Sequence, residues 1–267
     1  MKDIDIFFRE KPLKMICLGF SSGLPILLVF STLSVWLIQA GINRSTVTLF
    51  SWAGFAYAFK YLWSPLVDNY KLPFLKKLGH RKSWLLTSQI LIIIALVLTA
   101  FTDPQNNLFF TALFISLLAF FSATQDILVD AFRIESAPQS LQGPMSSMYI
   151  AGYRIAMLVA GAGSLWLAAL FGTEIYNQEV WKKVYLAMSS FMFIGIFATI
   201  SSNEPKIKRN LKTKNHLQFL FAIFFSVVGF IFLYSIIDNP FDKKDIFLTF
   251  LFSIIRLITC FIFAFLI

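Results

Sequence analysis

Long apolar stretches alternate with short polar breaks along the whole chain. A helix crosses a bilayer with about 20 mostly apolar residues. On that length the sequence predicts eight spans, over residues 15–40, 47–66, 84–101, 108–129, 145–171, 184–201, 217–237 and 246–267. Turn and breaker residues fall between them: Gly41-Ile42-Asn43, Asp103-Pro104, Gly143-Pro144, Glu204-Pro205 and Asp238-Asn239-Pro240. The expected fold class is therefore all-α and polytopic, with the lipid bilayer as its main partner.

Composition agrees with that class. Hydrophobic residues make up 58% of the 267 and charged residues 14%, with a mean hydropathy of +0.73. A soluble domain is about half apolar and about a quarter charged. The net charge of +9 does not point to nucleic acid, because Lys and Arg sit in short loops between apolar spans. With the N-terminus inside, fifteen of them fall on inner segments and five on outer loops. This positive-inside bias predicts that both termini are cytoplasmic. The remaining three, Lys60, Arg154 and Arg256, lie within predicted spans. The first apolar segment is too long for a signal-peptide core and reads as a retained span. Cys17 and Cys260 give no disulfide framework, and two scattered His give no metal-ligand spacing. With no Walker-type loop and no nucleophile motif, neither an enzyme nor a resident cofactor or metal is expected.

The fourth span runs straight into charge. From Gln125 to Glu135 the sequence reads Gln-Asp-Ile-Leu-Val-Asp-Ala-Phe-Arg-Ile-Glu. Asp126, Asp130 and Arg133 are spaced four and three apart, which sets them on one helical face. Charge within a bilayer is costly, so such a cluster reads by default as functional. Asp126 lies deepest and is the favoured functional acid of the cluster; the bland alternative is an acidic helix end at the membrane surface. Lys60 has two readings, a snorkelling side chain or a cavity-facing ammonium that pairs with Asp126. Arg154 is either interfacial or a partner for Asp126 or Asp130. Gly152, Ala156 and Ala160, followed by Ser164, repeat every four residues and suit close helix packing. Gly23-Leu24-Pro25 predicts a local break in the first span. Arg256, in the middle of the eighth span, requires a partner or water.

Between the second and third spans, Asp68 is followed by Gly79-His80-Arg81-Lys82. An acid at one helix end and a basic pair at the next helix start form a charge clamp across a tight turn. Such a clamp holds one packing of helix bundles and releases it in another. The bland reading is topology charge plus a turn.

That loop resembles the loop motif of the major facilitator superfamily. Gly23-Leu24-Pro25, the 59–68 segment and the 125–135 string together are similar to the AmpG-type permeases, over about residues 12 to 205. The resemblance implies a six-helix N-terminal half with a three-plus-three inverted repeat. It also implies the bacterial inner membrane, import of anhydro-muropeptides during peptidoglycan recycling, and proton symport. The substrate and proton-coupling candidates are then Lys60, Asp126, Asp130 and Arg154. Asp68, Arg81, Lys82, Arg133 and Glu135 are the candidates for a gating clamp at the cytoplasmic side.

The superfamily pattern is two six-span halves, with substrate between them. Here residues 1–201 form one half, 202–216 a basic linker, and 217–267 two helices of a second half. The expectation is a C-terminally truncated chain. Three arrangements remain open: a non-transporting remnant, a subunit completed by a second polypeptide, or a homo-oligomer that rebuilds the cavity. Another anionic cargo, such as a coenzyme A ester, is the alternative substrate.

Overall fold

A computed structural model of the chain describes residues 6–72, 75, 78–172 and 176–205, and beyond these the isolated positions 229, 252, 255 and 259. The chain divides into two compact units, Met1–Arg209 and Asn210–Ile267. The seventh and eighth predicted spans, the basic run 206–214 and Arg256 lie outside the described residues. Everything below concerns the first unit, whose described elements are all helical.

The first rod consists of α1 (Glu10–Val29) and α2 (Ser31–Gln39), separated only by Phe30 at φ −109°, ψ −84°. The helix passes through Gly23-Leu24-Pro25 unbroken, contrary to the sequence expectation, and is interrupted more than a turn later. The reason is packing. A Cβ on Gly19 or Gly23 would strike the backbones of Tyr149 and Tyr153. At the end of α2, Ile42 N donates to Leu37 O and Gly41 N to Ile38 O, both at 3.0 Å, with Gly41 at φ 77°. This closure of the last carbonyls requires the left-handed region that glycine enters at no steric cost.

The second predicted span is not one helix. It is α3 (Arg44–Leu49), a 3₁₀ stretch (Phe50–Ala53), α4 (Gly54–Ala58), a 3₁₀ turn (Lys60–Leu62) and α5 (Ser64–Asn69). Asn43 caps the start, accepting from Thr46 N at 2.8 Å. Pro65 accounts for the lower interruption, since it has no N–H to donate. The Tyr61 carbonyl is taken instead by Ser64 Oγ at 3.1 Å. Nothing in the sequence explains the upper 3₁₀ stretch.

The third rod is α6 (His80–Ala100) and the fourth is α7 (Leu108–Ser136). The fifth begins with α8 (Gln139–Leu158), continues through a π turn (Val159–Gly163) and ends in α9 (Ser164–Phe171). Gly143-Pro144 lies inside α8 rather than marking the loop, which shortens to Ala137-Pro138. Ala137 is extended at φ −145°, ψ 152°, as the residue before a proline prefers. The sixth rod comprises α10 (Gln178–Phe191) and α11 (Phe193–Ser201). Among the described residues, five rods are long and apolar enough to cross a membrane; the broken second is the exception.

The first rod is the hub. α1 packs most extensively on α8 and also touches α7 and α11, while α6 lies against α7 and α10. Gly152 on α8 answers Gly19 and Gly23, since a Cβ there would strike the Ile16 backbone. Ala156, Ala160 and Ser164 are all buried along the same stripe. Thr32 Oγ1 donates to Ala160 O at 2.8 Å and lies 3.1 Å from Ser164 Oγ. Toward the other end, Trp36 stacks on Trp181 with ring centroids 5.8 Å apart. Tyr185 OH donates to Leu28 O at 2.9 Å, just before the Phe30 interruption.

Because helices meet backbone to backbone here, added bulk has no space to enter. Gly19→Val should destabilise the purified chain by about 1–3 kcal/mol in SDS unfolding. Gly143, with open space around its Cα, should tolerate Ala with a change of under about 1 kcal/mol.

Candidate functional site

Two charged clusters lie along α7, one at its C-terminal end and one inside the span. At the end, Arg81 from the first turn of α6 reaches two acids. Its Nη1 is 2.5 Å from Asp68 Oδ1 on α5. Its Nε and Nη2 form a fork on Glu135 of α7, at 3.0 and 2.7 Å. The Arg81 side chain is only 5% exposed. A two-pronged, charge-assisted contact of this kind fixes orientation as well as distance.

The same helix start is held from a direction that the sequence did not reveal. The free N–H groups of Arg81 and Lys82 donate to Glu204 Oε1 and Oε2 at 2.8 and 3.0 Å. A carboxylate is favoured there because the first turn of a helix carries unsatisfied donors and positive partial charge. Glu204 follows the sixth rod and read only as a turn residue beside Pro205. Gly79 admits it, with φ at 93° and no room for a Cβ against the Glu204 carboxyl. His80 Nε2 lies 3.1 Å from Val67 O.

Lysines close the neighbouring C-termini. Lys82 Nζ donates to Ile200 O at 3.0 Å, Lys11 Nζ to Ser136 O at 2.6 Å, and Lys14 Nζ to Ser201 O. Lys82 thus ties α6 to α11 and makes no side-chain ion pair among the described residues. Arg133 also stands apart from the clamp. It lies 3.6 Å from Asp130 Oδ1 on its own helix and donates to Gln142 Oε1 at 3.3 Å. Gln142 in turn donates to the Arg133, Ile134 and Ala137 carbonyls, closing the end of α7.

The inner cluster centres on Asp126, which is 7% exposed. Lys60 Nζ is 3.7 Å from Asp126 Oδ2, an ion-pair distance longer than a formed hydrogen bond. The 3₁₀ turn that starts at Lys60 carries this contact. Just below it, Trp63 docks on α7, with Nε1 donating to Thr124 Oγ1 at 3.0 Å and its ring 4.8 Å from that of Phe120. Tyr57 lies beside Ser122, so Tyr57 and Lys60 on one rod face Ser122 and Asp126 on the other. Ser22 of α1, and Tyr149 and Tyr153 of α8, complete the surround. Asp126 Oδ1 is buried without a hydrogen-bond partner among the described residues.

The other two inner candidates do not converge on Asp126. Asp130 has a half-exposed side chain and meets Arg133. Arg154 is exposed, with Nη1 3.9 Å from Met157 Sδ. It forms no ion pair with Asp126 or Asp130. Tyr57, Ser122, Tyr149 and Tyr153 carried no sequence signal, since an isolated Tyr or Ser in an apolar span looks like filler. Among the described residues no group of His, Cys, Asp and Glu could hold a metal ion.

Residues 15–267 match the Major Facilitator Superfamily, and the chain belongs to it. With its apolar rods, it is a multi-pass membrane protein. Within the family, the chain is 37% identical to Putative transporter AmpG 4 of Rickettsia conorii over 209 residues, covering 78% of this chain and 49% of that protein. It is 37% identical to the Anhydromuropeptide permease of Escherichia coli over 200 residues, covering 75% of this chain and 39% of the permease. Putative transporter AmpG 1 of Rickettsia conorii is 30% identical over 239 residues, covering 83% and 57%. The chain therefore spans about half the length of the curated relatives it matches.

Removing the guanidinium leaves two acids facing each other. Arg81→Ala should lower stability by about 3 kcal/mol, mostly through Glu135, because solvent screens the more exposed Asp68. Arg81→Lys, which has no fork, should recover about half of the loss. Glu204→Ala should cost about 1 kcal/mol as a lost helix cap. Denaturant unfolding of the purified chain measures all three.

Proposed function

We propose that this chain acts as an AmpG-type secondary carrier in a bacterial inner membrane, bringing anhydro-muropeptides into the cytoplasm by proton symport. The observation that carries the proposal is the Lys60–Asp126 pair, a titratable acid and a cation held inside a membrane-spanning bundle. Ionisable groups are retained at that depth for substrate or proton movement. The names of the relatives support the cargo. Asp126 takes up and releases the proton, and Lys60 neutralises its carboxylate or turns to a carboxylate of the peptide part of the substrate. Arg81, Asp68 and Glu135, with Glu204 and Lys82 bracing them, close the cytoplasmic side in one conformation and separate in the other.

A second reading is that this chain supplies one wall of a carrier, with a further polypeptide or a second copy supplying the other.

Uptake of labelled anhydro-muropeptide by a strain without its own permease tests both. This chain should restore uptake, and Asp126→Asn should lower proton-driven accumulation by roughly a hundredfold or more. Full accumulation by the Asn variant removes the coupling role. If the chain alone fails but co-expression with the C-terminal half of the Escherichia coli permease restores uptake, the second reading holds. Failure in both settings overturns carrier activity.

A further inference from the structure

Behind the Lys60–Asp126 pair, a seam of buried polar side chains crosses the bundle through four helices. Gln125 of α7 and Gln89 of α6 are both 0% exposed. Gln125 Nε2 donates to Ser21 Oγ and Ser22 Oγ of α1, at 3.0 and 3.2 Å. Thr199 Oγ1 of α11 donates to Gln89 Oε1 at 3.0 Å. Gly195 lets α11 come close enough for this: the place its Cβ would take is bordered by both the Ser21 hydroxyl and Gln89 Nε2. These two groups adjoin one small region yet share no hydrogen bond.

The seam is incompletely paired at three atoms. Gln89 Nε2, Gln125 Oε1 and Asp126 Oδ1 are each buried without a hydrogen-bond partner among the described residues. Buried polar atoms are nearly always satisfied, by protein or by ordered water. A donor and a hydroxyl that adjoin one space without bonding directly are a setting for a bridging water. One end of the seam is Ser22, beside Asp126. At the other end, the Thr199 carbonyl accepts from Ser202 N at 3.3 Å. Ser202 lines a cavity of about 440 Å³ at the clamp end, together with Lys14, Glu135 and Glu204.

We propose that this seam holds a chain of ordered water that carries protons from Asp126 to the clamp-end cavity, with Gln125 and Gln89 as its positioning residues. The proposal rests on the coupling role of Asp126. The protonated carboxyl gives its proton to the water at Ser22 and Gln125, so one O–H bond breaks and another forms on the water. Each water passes a proton to the next, and the cavity water accepts the last. No electrons change hands, and Asp126 is left as a carboxylate facing Lys60. The amides do not titrate; they orient the water by donating with Nε2 and accepting with Oε1. Around Asp126 stand Lys60 and Tyr57 from the second rod, Tyr149 and Tyr153 from α8, and Asp130 from its own helix. Of these, Tyr149 adjoins the seam at Ser22, and Lys60 and Tyr57 stand on the second rod, which contributes no side chain to it. Proton exit is thereby separated from the face where Lys60 stands, and substrate need not leave before the proton does.

Gln125→Met and Gln89→Met keep side-chain length and remove the polar ends. In liposomes containing the full chain, both variants should lose proton-driven accumulation of anhydro-muropeptide by about tenfold or more. Exchange of labelled for unlabelled substrate without a proton gradient should stay within about twofold of the parent. Parental accumulation by both Met variants overturns the path while leaving Asp126 in place. Parental accumulation by Asp126→Asn instead overturns the coupling role itself. A density map of the parent that resolves ordered solvent decides the matter independently of transport. Water between Gln89 Nε2 and Ser21 Oγ, and at Gln125 Oε1, supports the path; a direct Gln89–Ser21 bond with no solvent there overturns it.

Discussion

The arrangement depends on how closely α1 approaches α8. Lipid gives apolar side chains no reason to leave it for one another, so helices in a bilayer associate through close packing and hydrogen bonds. Gly19, Gly23 and Gly152 lack the Cβ atoms that would hold the two backbones apart. α1 is thereby pressed into the middle of the bundle, where it also meets α7 and α11. Ser21 and Ser22 lie on the stretch between those two glycines of α1. The contact that fixes the hub helix therefore also sets the hydroxyls that face Gln125 and Asp126. On the α8 side, the backbones that meet the glycines belong to Tyr149 and Tyr153, which surround the same acid.

Charge is handled differently at the two clusters along α7. At the clamp end the groups named above meet close partners: Arg81 meets Asp68 and Glu135, the free N–H groups of α6 meet Glu204, and the last carbonyls of α7 and α11 meet lysines. Such a network favours one arrangement of helix ends strongly, which is what a two-position gate requires. Inside the span the pairing is loose. Lys60 and Asp126 stand at 3.7 Å, and one carboxylate oxygen has no described partner. An acid in those surroundings keeps capacity for a further proton or ligand. A completely satisfied pair would be a structural brace.

Much of this was legible in the chain. Apolar length marked the spans, and Asp126 stood out because a carboxylate is costly where its neighbours are apolar. The every-fourth small residues on the fifth rod announced close packing, and they do pack. The Asp68–Arg81 contact followed from an acid and a base at facing helix ends. Glu204 was not legible as a helix cap, because its partners lie more than 120 residues away and a turn before proline needs no further explanation. Of the two readings of Arg154, the pairing with Asp126 or Asp130 is not formed. Adjacency of two spans in sequence does not say which face of a helix meets its neighbour. Gly23-Leu24-Pro25 and Gly143-Pro144 read as breaks on residue preference alone, yet both lie inside helices, the first packed against the backbone of α8.

The sequence by itself determined the solvent this protein folds in, its all-helical class, and the presence of buried charge along the fourth rod. Those properties follow from the transfer cost of side chains and of unpaired backbone groups, which each segment carries locally. Only the tertiary structure decided which charges meet, that the second rod breaks at Lys60, and that a polar seam runs behind Asp126. Those depend on helix rotation and approach, which are set by packing between segments far apart in the chain, where a single glycine shifts an entire face.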